Sequence, residues 1–85
     1  MKYHVYVIKS TKKRIIYVGY TSNLKTRLKK HNCGSSRFTK AYKPWILIYT
    51  EEFDNKSEAM KKERFFKTGV GKQIIKKRCG MVFQH

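Results

Sequence analysis

Three charged or titratable side chains have the chemistry needed to act on a phosphodiester. Arg27 carries a planar guanidinium that matches phosphate oxygens and keeps its proton. His31 lies one helical turn further on, and its imidazole can hydrogen-bond a phosphate or assist a proton transfer. Glu63 is one of only five acidic residues, and its carboxylate can bind a hard divalent cation, Mg²⁺ or Mn²⁺, together with substrate phosphate oxygens.

Each of these three residues also has a purely structural explanation. Arg27 is one of 21 Lys and Arg residues and can be one more surface cation. His31 falls at the edge of the apolar face of its predicted helix, where a histidine that only packs is common. Glu63 can form an i, i+4 pair with Lys67, which contributes only about 0.2–0.5 kcal/mol. The residues alone leave both explanations open.

Two tyrosines, Tyr6 and Tyr17, lie on neighbouring predicted strands at positions that can share one face of a sheet. Gly19 lacks a side chain and would leave an open spot beside Tyr17 where a phosphate can approach the backbone. A phenol is a poor base at its ordinary pKa of about 10, unless nearby cations or a metal-bound water shift the balance. The structural alternative for both tyrosines is core packing with a hydroxyl that finds any partner.

Short runs of aromatic and β-branched residues indicate the strands that must position the tyrosines. Residues 3–8 and 14–20 form two runs separated by a short polar stretch, which predicts a hairpin. Residues 45–50 form a third, continuously apolar run, which predicts a strand that is central or well covered. The stretch 33–44 contains glycine, serines and the only proline, and we expect a loop there.

Capping residues indicate where the helices begin. N-cap candidates at 21–23 precede a predicted helix over 24–32, which carries Arg27 and His31. Asn55 and Glu58 have the spacing of a capping box and open a second helix over about 56–67. One face of the second helix carries Ala59, Glu63 and Phe66.

The element order β-β-α-β-α-α predicts a small α+β domain with a three-stranded, mostly antiparallel sheet flanked by helices. We expect the first strand in the middle, which gives the sheet order 2-1-3. Gly69 and Gly71 are expected to end the second helix before a short third one. One domain is expected over residues 1–85, with a core over about 3–77 and a C-terminal tail over 78–85.

The charge of the chain points to a polyanionic partner. Twenty-one Lys and Arg against five Asp and Glu give a formal charge of +16, and such self-repulsion is relieved when phosphates are neutralised and counterions are released. Nucleic acid is therefore the expected partner. No stretch approaches the roughly 20 apolar residues of a membrane span, and the start reaches Lys9 before a signal-peptide core could form, so we expect a cytoplasmic protein without membrane association. Cys33 and Cys79 are expected to be free thiols.

An ordered set of motifs resembles the GIY-YIG family of endonucleases. The tripeptides VYV at 5–7 and YVG at 17–19 are similar to the two that name the family. The distance between the two tripeptides matches the family pattern better than their residue types do. Further matches follow in family order over residues 3–75: TSNL at 21–24, Arg27, His31, TK at 39–40, PW at 44–45 and EAMKKERFFK at 58–67. Within the family the chain is most similar to the small stand-alone bacterial subgroup.

The resemblance implies a metal-dependent endonuclease that hydrolyses phosphodiester bonds in DNA, structure-directed or weakly sequence-selective, in DNA repair or recombination. It implies that one tyrosine takes or relays the proton of the attacking water while the other orients the phosphate, and that Glu63 is the sole protein ligand of Mg²⁺ or Mn²⁺. The implied catalytic residues are Tyr6, Tyr17, Arg27, His31 and Glu63.

Other residues are expected to contact the nucleic acid rather than to take part in chemistry. They are Gly19, Asn32, Thr39, Lys40 and Lys43, with Tyr20 and Tyr42 as stacking surfaces. The sequence departs from larger family members in having no supporting Asn after the second predicted helix. The alternatives are a nucleic-acid-binding module, for DNA or RNA, with little or no catalysis, and a nuclease domain that serves a larger repair complex.

Overall fold

The computed structural model describes residues 2–34 and 37–78. The predicted tail therefore lies outside the described residues from 79 onward, as does Cys79. The described residues form, in order, β1 Tyr3–Ser10, β2 Ile16–Thr21, α1 Leu24–Cys33, α2 Arg37–Tyr42, β3 Trp45–Phe53, α3 Lys56–Phe66 and α4 Gly69–Arg78. Within this part of the chain, no helix has the length and apolar character to cross a bilayer.

The sheet confirms the predicted α+β class and strand order. Its order is β2-β1-β3, and β1 pairs antiparallel with both neighbours. The expectation that the third strand is central or well covered is wrong, because β3 is an edge strand. Its side chains Ile46 and Leu47 remain 48% and 37% exposed.

The two faces of β1 belong to two apolar clusters. Val5 and Val7 pack in one cluster with Ala59 and Phe66 of α3. Tyr6 and Ile8 belong to the other, whose further members are Trp45, Ile15, Tyr17, Leu24, Leu28 and Tyr42. Tyr6 and Tyr17 therefore lie on the side of the sheet that α1 covers.

Both predicted helix starts are confirmed. Asn23 caps α1, and its side chain accepts a hydrogen bond from the Thr26 N–H at 3.1 Å. Asn55 caps α3 in the same way, accepting from the Glu58 N–H at 2.9 Å. The caps fix the phase of each helix, and so decide which side chains face the sheet.

The prediction of an irregular loop over residues 33–44 is wrong. The predicted loop over 33–44 contains the short helix α2, because side chains from elsewhere satisfy its terminal carbonyls. The Trp45 indole N–H donates to the Thr39 carbonyl at 3.0 Å, and the Ser10 hydroxyl donates to the Tyr42 carbonyl at 2.6 Å. Residues 35–36 of that stretch lie outside the described residues.

The prediction that the second helix ends near residue 67 and that a short helix follows is confirmed, but Gly69 and Gly71 lie in the first turn of α4 rather than before it. The Thr68 hydroxyl, just before that turn, accepts from the Gly71 N–H at 3.1 Å. A Cβ at Gly71 would overlap the carbonyl oxygen of Phe65. Glycine is therefore needed there for the close approach of α4 to the end of α3.

Candidate active site

A cavity of about 390 Å³ brings together five of the predicted site residues. β1 and β2 contribute Tyr6, Tyr17 and Gly19, while α1 contributes Arg27 and α3 contributes Glu63. The cavity thus contains phenols, a guanidinium and a carboxylate. These groups can bind a phosphate, move a proton and hold a cation.

Tyr6 is 1% exposed, and its ring lies directly over Gly19, its partner across the β1–β2 pair. A Cβ at Gly19 would stand 2.5 Å from the Tyr6 hydroxyl oxygen and 2.7 Å from Cζ. The predicted open spot at Gly19 is therefore filled by the tyrosine ring. Gly19 is needed to accommodate Tyr6.

The Tyr6 hydroxyl is hydrogen-bonded to His31 Nε2 at 2.8 Å. His31 is 5% exposed, and its Nδ1 has no hydrogen-bond partner among residues 2–34 and 37–78. Burial, and secondarily the charge of Arg27, holds the pKa of His31 below its ordinary value. Burial also raises the pKa of Tyr6, and Tyr17 and Glu63 add to that rise while Arg27 opposes it. The pair is thus neutral at pH 7.

Tyr17 connects the cavity to a group of aromatic rings beside α2. Its ring centroid lies 4.8 Å from that of His31 and 6.4 Å from that of Tyr6. On the other side, Phe38 and Trp45 lie at 6.1 and 6.4 Å. The position of the Tyr17 ring is therefore fixed by packing on both sides.

Arg27 and His31 share a face of α1 but have different surroundings. Arg27 is exposed and lines the cavity, whereas His31, one turn on, is buried against Tyr6. The Arg27 charge lowers the pKa of both Tyr6 and His31. The guanidinium is therefore close enough to act on the pair while remaining accessible to an anion.

Glu63 lies on the α3 face that carries Ala59 and Phe66, as its spacing predicts. Its side chain is only 18% exposed, and its Oε1 lies 3.6 Å from Lys67 Nζ. The carboxylate therefore lines the cavity and also makes the helical pair that its spacing allowed. Its negative charge contributes to the raised pKa of Tyr6.

One carboxylate in a polar cavity fits a hard cation that is shared with substrate. Among the described residues, no group of three or more His, Cys, Asp or Glu side chains could hold a metal ion. Mg²⁺ does not need such a cage, because it usually takes one or two carboxylates, several waters and phosphate oxygens. Glu63 is the cavity residue that can supply such a ligand.

Comparison with known proteins gives the family. The sequence profile described as the GIY-YIG catalytic domain matches residues 2–77. The chain belongs to the GIY-YIG family. It is thereby a member of a family of nucleases, and a nuclease domain implies a nucleic-acid substrate.

Similar proteins carry the family name UPF0213. The UPF0213 protein SH2523 of Staphylococcus haemolyticus is 41% identical over 76 residues, 88% of this chain and 92% of that protein. The UPF0213 protein YazA of Bacillus subtilis is 40% identical over 65 residues, 75% of this chain and 66% of that one. The solution NMR structure of the UPF0213 protein BH0048 from Bacillus halodurans superposes with a TM-score of 0.59 at 31% identity, covering 94% and 88% of the two chains.

Two residues expected to contact nucleic acid have structural contacts in this GIY-YIG domain. The Asn32 amide donates to the Trp45 carbonyl at 3.2 Å and accepts from the Trp45 N–H at 2.6 Å. Thr39 is a buried residue of α2, and its backbone carbonyl accepts from the Trp45 indole N–H. These contacts join α1 and α2 to β3 and engage the Asn32 amide group and the Thr39 carbonyl. Lys40 is exposed and Lys43 is half-buried.

The GIY-YIG cavity also has walls that sequence reasoning did not assign to it. The residues are Tyr3, Thr21, Ser22 and Lys56, while Tyr20 had been assigned only as a stacking surface. Lys56 is the first residue of α3, where a cation opposes the helix dipole. That unfavourable placement was the available signal that Lys56 does not serve the stability of the helix.

Proposed function

We propose that this protein is a metal-dependent endonuclease that hydrolyses phosphodiester bonds in DNA, directed by DNA structure or weakly by sequence, in repair or recombination. The observation that carries the proposal is the convergence of Tyr6, Arg27 and Glu63 on one cavity. A chain with a formal charge of +16 also favours a polyphosphate substrate.

Arg27 binds the scissile phosphate in this proposal. Its fork can contact two phosphate oxygens, and it stabilises the charge that develops on them during attack. Tyr17, at the cavity wall, orients the same phosphate through its hydroxyl. Lys40 and Lys43 contact the neighbouring nucleic acid.

Tyr6 and His31 relay the proton of the attacking water. The raised pKa of Tyr6 opposes a free phenolate, so the phenol takes the water's proton as its own passes to His31 Nε2, 2.8 Å away. The lowered pKa of His31 keeps that nitrogen free to accept. This route uses the tautomer of His31 that carries its hydrogen on Nδ1.

Glu63 would hold the divalent cation, Mg²⁺ or Mn²⁺. When bound, such an ion neutralises phosphate charge and lowers the pKa of water. The 3.6 Å contact with Lys67 means that the ion must compete with one ammonium for the carboxylate. The same contact favours the alternative, a binding module for DNA or RNA in which Glu63 is only half of a helical ion pair.

A cleavage assay with matched carboxylate variants tests the proposal. The purified protein is incubated with single-stranded, duplex and branched DNA, with and without Mg²⁺ or Mn²⁺, beside Glu63→Gln and the control Glu58→Gln. Both substitutions remove one negative charge from α3, but Glu58 is exposed and does not line the cavity.

We expect cutting that requires metal, that falls by several orders of magnitude in Glu63→Gln and that persists in Glu58→Gln. DNA affinity should stay or rise in Glu63→Gln, because the many cations remain. Metal-independent cutting, or equal cutting by both variants, would refute the role of Glu63. Tight binding without cutting of any substrate would favour the binding module.

A further inference from the structure

Phe38 is an aromatic side chain that stays exposed although three other rings pack beside it. Its centroid lies 5.1 Å from that of Tyr42, 6.0 Å from Trp45 and 6.1 Å from Tyr17. Despite these neighbours, 43% of the residue remains accessible to solvent. One side of the ring thus belongs to an aromatic cluster, and the rest faces outward.

The helix that carries Phe38 is held in place by contacts outside itself. The hydrogen bonds from Trp45 and Ser10 fix the carbonyls of Thr39 and Tyr42. Thr39 is buried in the same turn. Phe38 is therefore presented on a rigid support, which lowers the entropic cost of binding a ligand on its exposed side.

Two cations lie on the same short helix as this ring. Arg37 and Lys40 are exposed on α2, and the Lys40 stem lies where a Cβ on Gly34 would meet it at 3.0 Å. An aromatic surface bordered by cations is the usual arrangement for single-stranded nucleic acid, because bases stack on the ring while phosphates contact the charges. A protein ligand that covered this surface would need to be acidic.

The ring is also close to the cavity. Tyr17 contacts Phe38 and lines the cavity wall, and their centroids are 6.1 Å apart. Neighbouring bases in one strand rise about 3.4 Å, so this separation corresponds to roughly two base steps. A strand whose phosphate lies in the cavity can therefore place a nearby base against Phe38.

We propose that Phe38 stacks on an unpaired base close to the phosphate bound in the cavity. A paired base remains inside its duplex and cannot reach the ring, so the preferred substrate has single-stranded character beside the cleaved bond. This inference rests on the proposed nuclease site for its position. It names a substrate class that the cavity residues alone do not specify.

The test is a double-mutant cycle that measures binding and needs no cleavage. Forked DNA with a fluorescent label is titrated in chelator with wild type and Phe38→Leu, by anisotropy. Each unpaired position near the fork is replaced in turn by an abasic site. Phe38→Leu keeps apolar volume inside the cluster, and Phe38→Tyr and Phe38→Trp keep a ring. Val70→Ala is the control for loss of an exposed apolar side chain, since Val70 is 63% exposed on α4.

We expect Phe38→Leu to weaken binding to the fork about 5- to 10-fold, at the lower end of base stacking because the ring is partly covered. Fully paired DNA should change less than twofold, and the ring-retaining variants and Val70→Ala should bind like wild type. At one unpaired position, the abasic site should weaken DNA binding by the wild-type protein by a similar factor. The same abasic site should not weaken binding by Phe38→Leu any further. An RNA fork in parallel shows which nucleic acid the surface prefers.

Additive losses at every position would overturn the proposal, as would equal losses on forked and paired DNA. If Phe38→Leu unfolds, 2-aminopurine placed at each unpaired position still decides, because stacking on wild type should quench its fluorescence. Absence of quenching at every position refutes stacking. If Phe38 and one base position are coupled but no DNA is cleaved, Phe38 is a binding site and the nuclease role is refuted. If DNA is cleaved but no position is coupled to Phe38, the nuclease role stands and stacking on Phe38 is refuted.

Discussion

A single methyl group added at Gly19 should disable the Tyr6–His31 pair. In Gly19→Ala the new Cβ would stand 2.5 Å from the Tyr6 hydroxyl oxygen and 2.7 Å from Cζ. Non-bonded heavy atoms prefer a separation of about 3.5–4.0 Å. The ring must therefore move by about 1 Å, either against the side chains that bury it to 1% exposure or into the cavity that it lines.

The cost of that movement can be estimated for stability and for rate. Overpacking of a close-packed site typically costs about 1–3 kcal/mol of the free energy of unfolding. Moving the hydroxyl by about 1 Å also disturbs the geometry of its 2.8 Å bond to His31 Nε2. A misplacement of that size in a reacting group costs about 10²-fold in rate.

Chemical denaturation and DNA cleavage measure these two effects separately. Gly69→Ala is the matched control, because a Cβ there meets no atom within 4 Å and should leave cleavage unchanged. Its stability should stay the same or rise by about 0.4–1 kcal/mol. Combining Gly19→Ala with Tyr6→Phe removes the nearest oxygen, so the loss should be smaller than the sum of the two single losses. Wild-type stability and wild-type cutting in Gly19→Ala would refute the steric argument.

Four further results are expected. Log K for duplex DNA should fall linearly with log salt, by about 0.9 per phosphate neutralised, and a flat response would exclude phosphate-dominated binding. Arg27→Ala should lower the cleavage rate by roughly 10² to 10³, and added metal should not restore it. Arg27→Lys should recover only part of the rate, and cleavage by both variants at the wild-type rate would show that the guanidinium takes no part in the chemistry. Because the pKa of folded His31 lies below its ordinary 6.5, the free energy of unfolding should fall as pH drops below about 6.5, and denaturation of His31→Gln should lack this decline. Asn32→Ala should lower the free energy of unfolding by about 1–3 kcal/mol, because both hydrogen bonds to Trp45 are lost. Its DNA affinity in a filter-binding assay should stay unchanged, and weaker binding by the folded variant would show that Asn32 contacts the substrate.

The parts of the fold that depend on local sequence were predictable. The caps Asn23 and Asn55 act within one turn of their helices, and the alternation along β1 depends only on the strand period. The strand order 2-1-3 was also correct. The position of Glu63 followed from the same helical period that places Ala59 and Phe66.

The features that depend on distant contacts were not predictable from local signals. The helix α2 forms where composition indicates a loop, because Trp45 and Ser10 satisfy its carbonyls from other elements. The apolar run at the start of β3 indicates burial, yet an edge strand leaves Ile46 and Leu47 exposed. Lys56 gave only a weak signal, since its approach to the cavity depends on how α3 crosses the sheet.

In the proposed mechanism, a residue of the neighbouring strand decides which tyrosine relays the proton. Alternation places Tyr6 and Tyr17 on one face and does not distinguish them. The distinction arises because Gly19 leaves room for the end of the Tyr6 ring, whose hydroxyl lies 2.8 Å from His31. Helical periodicity put Arg27 and His31 on one edge of α1, but only the sheet beneath decides that His31 is buried and Arg27 is not. The proposed chemistry therefore belongs to the β1–β2–α1 packing as a unit, and no single motif in the chain contains it.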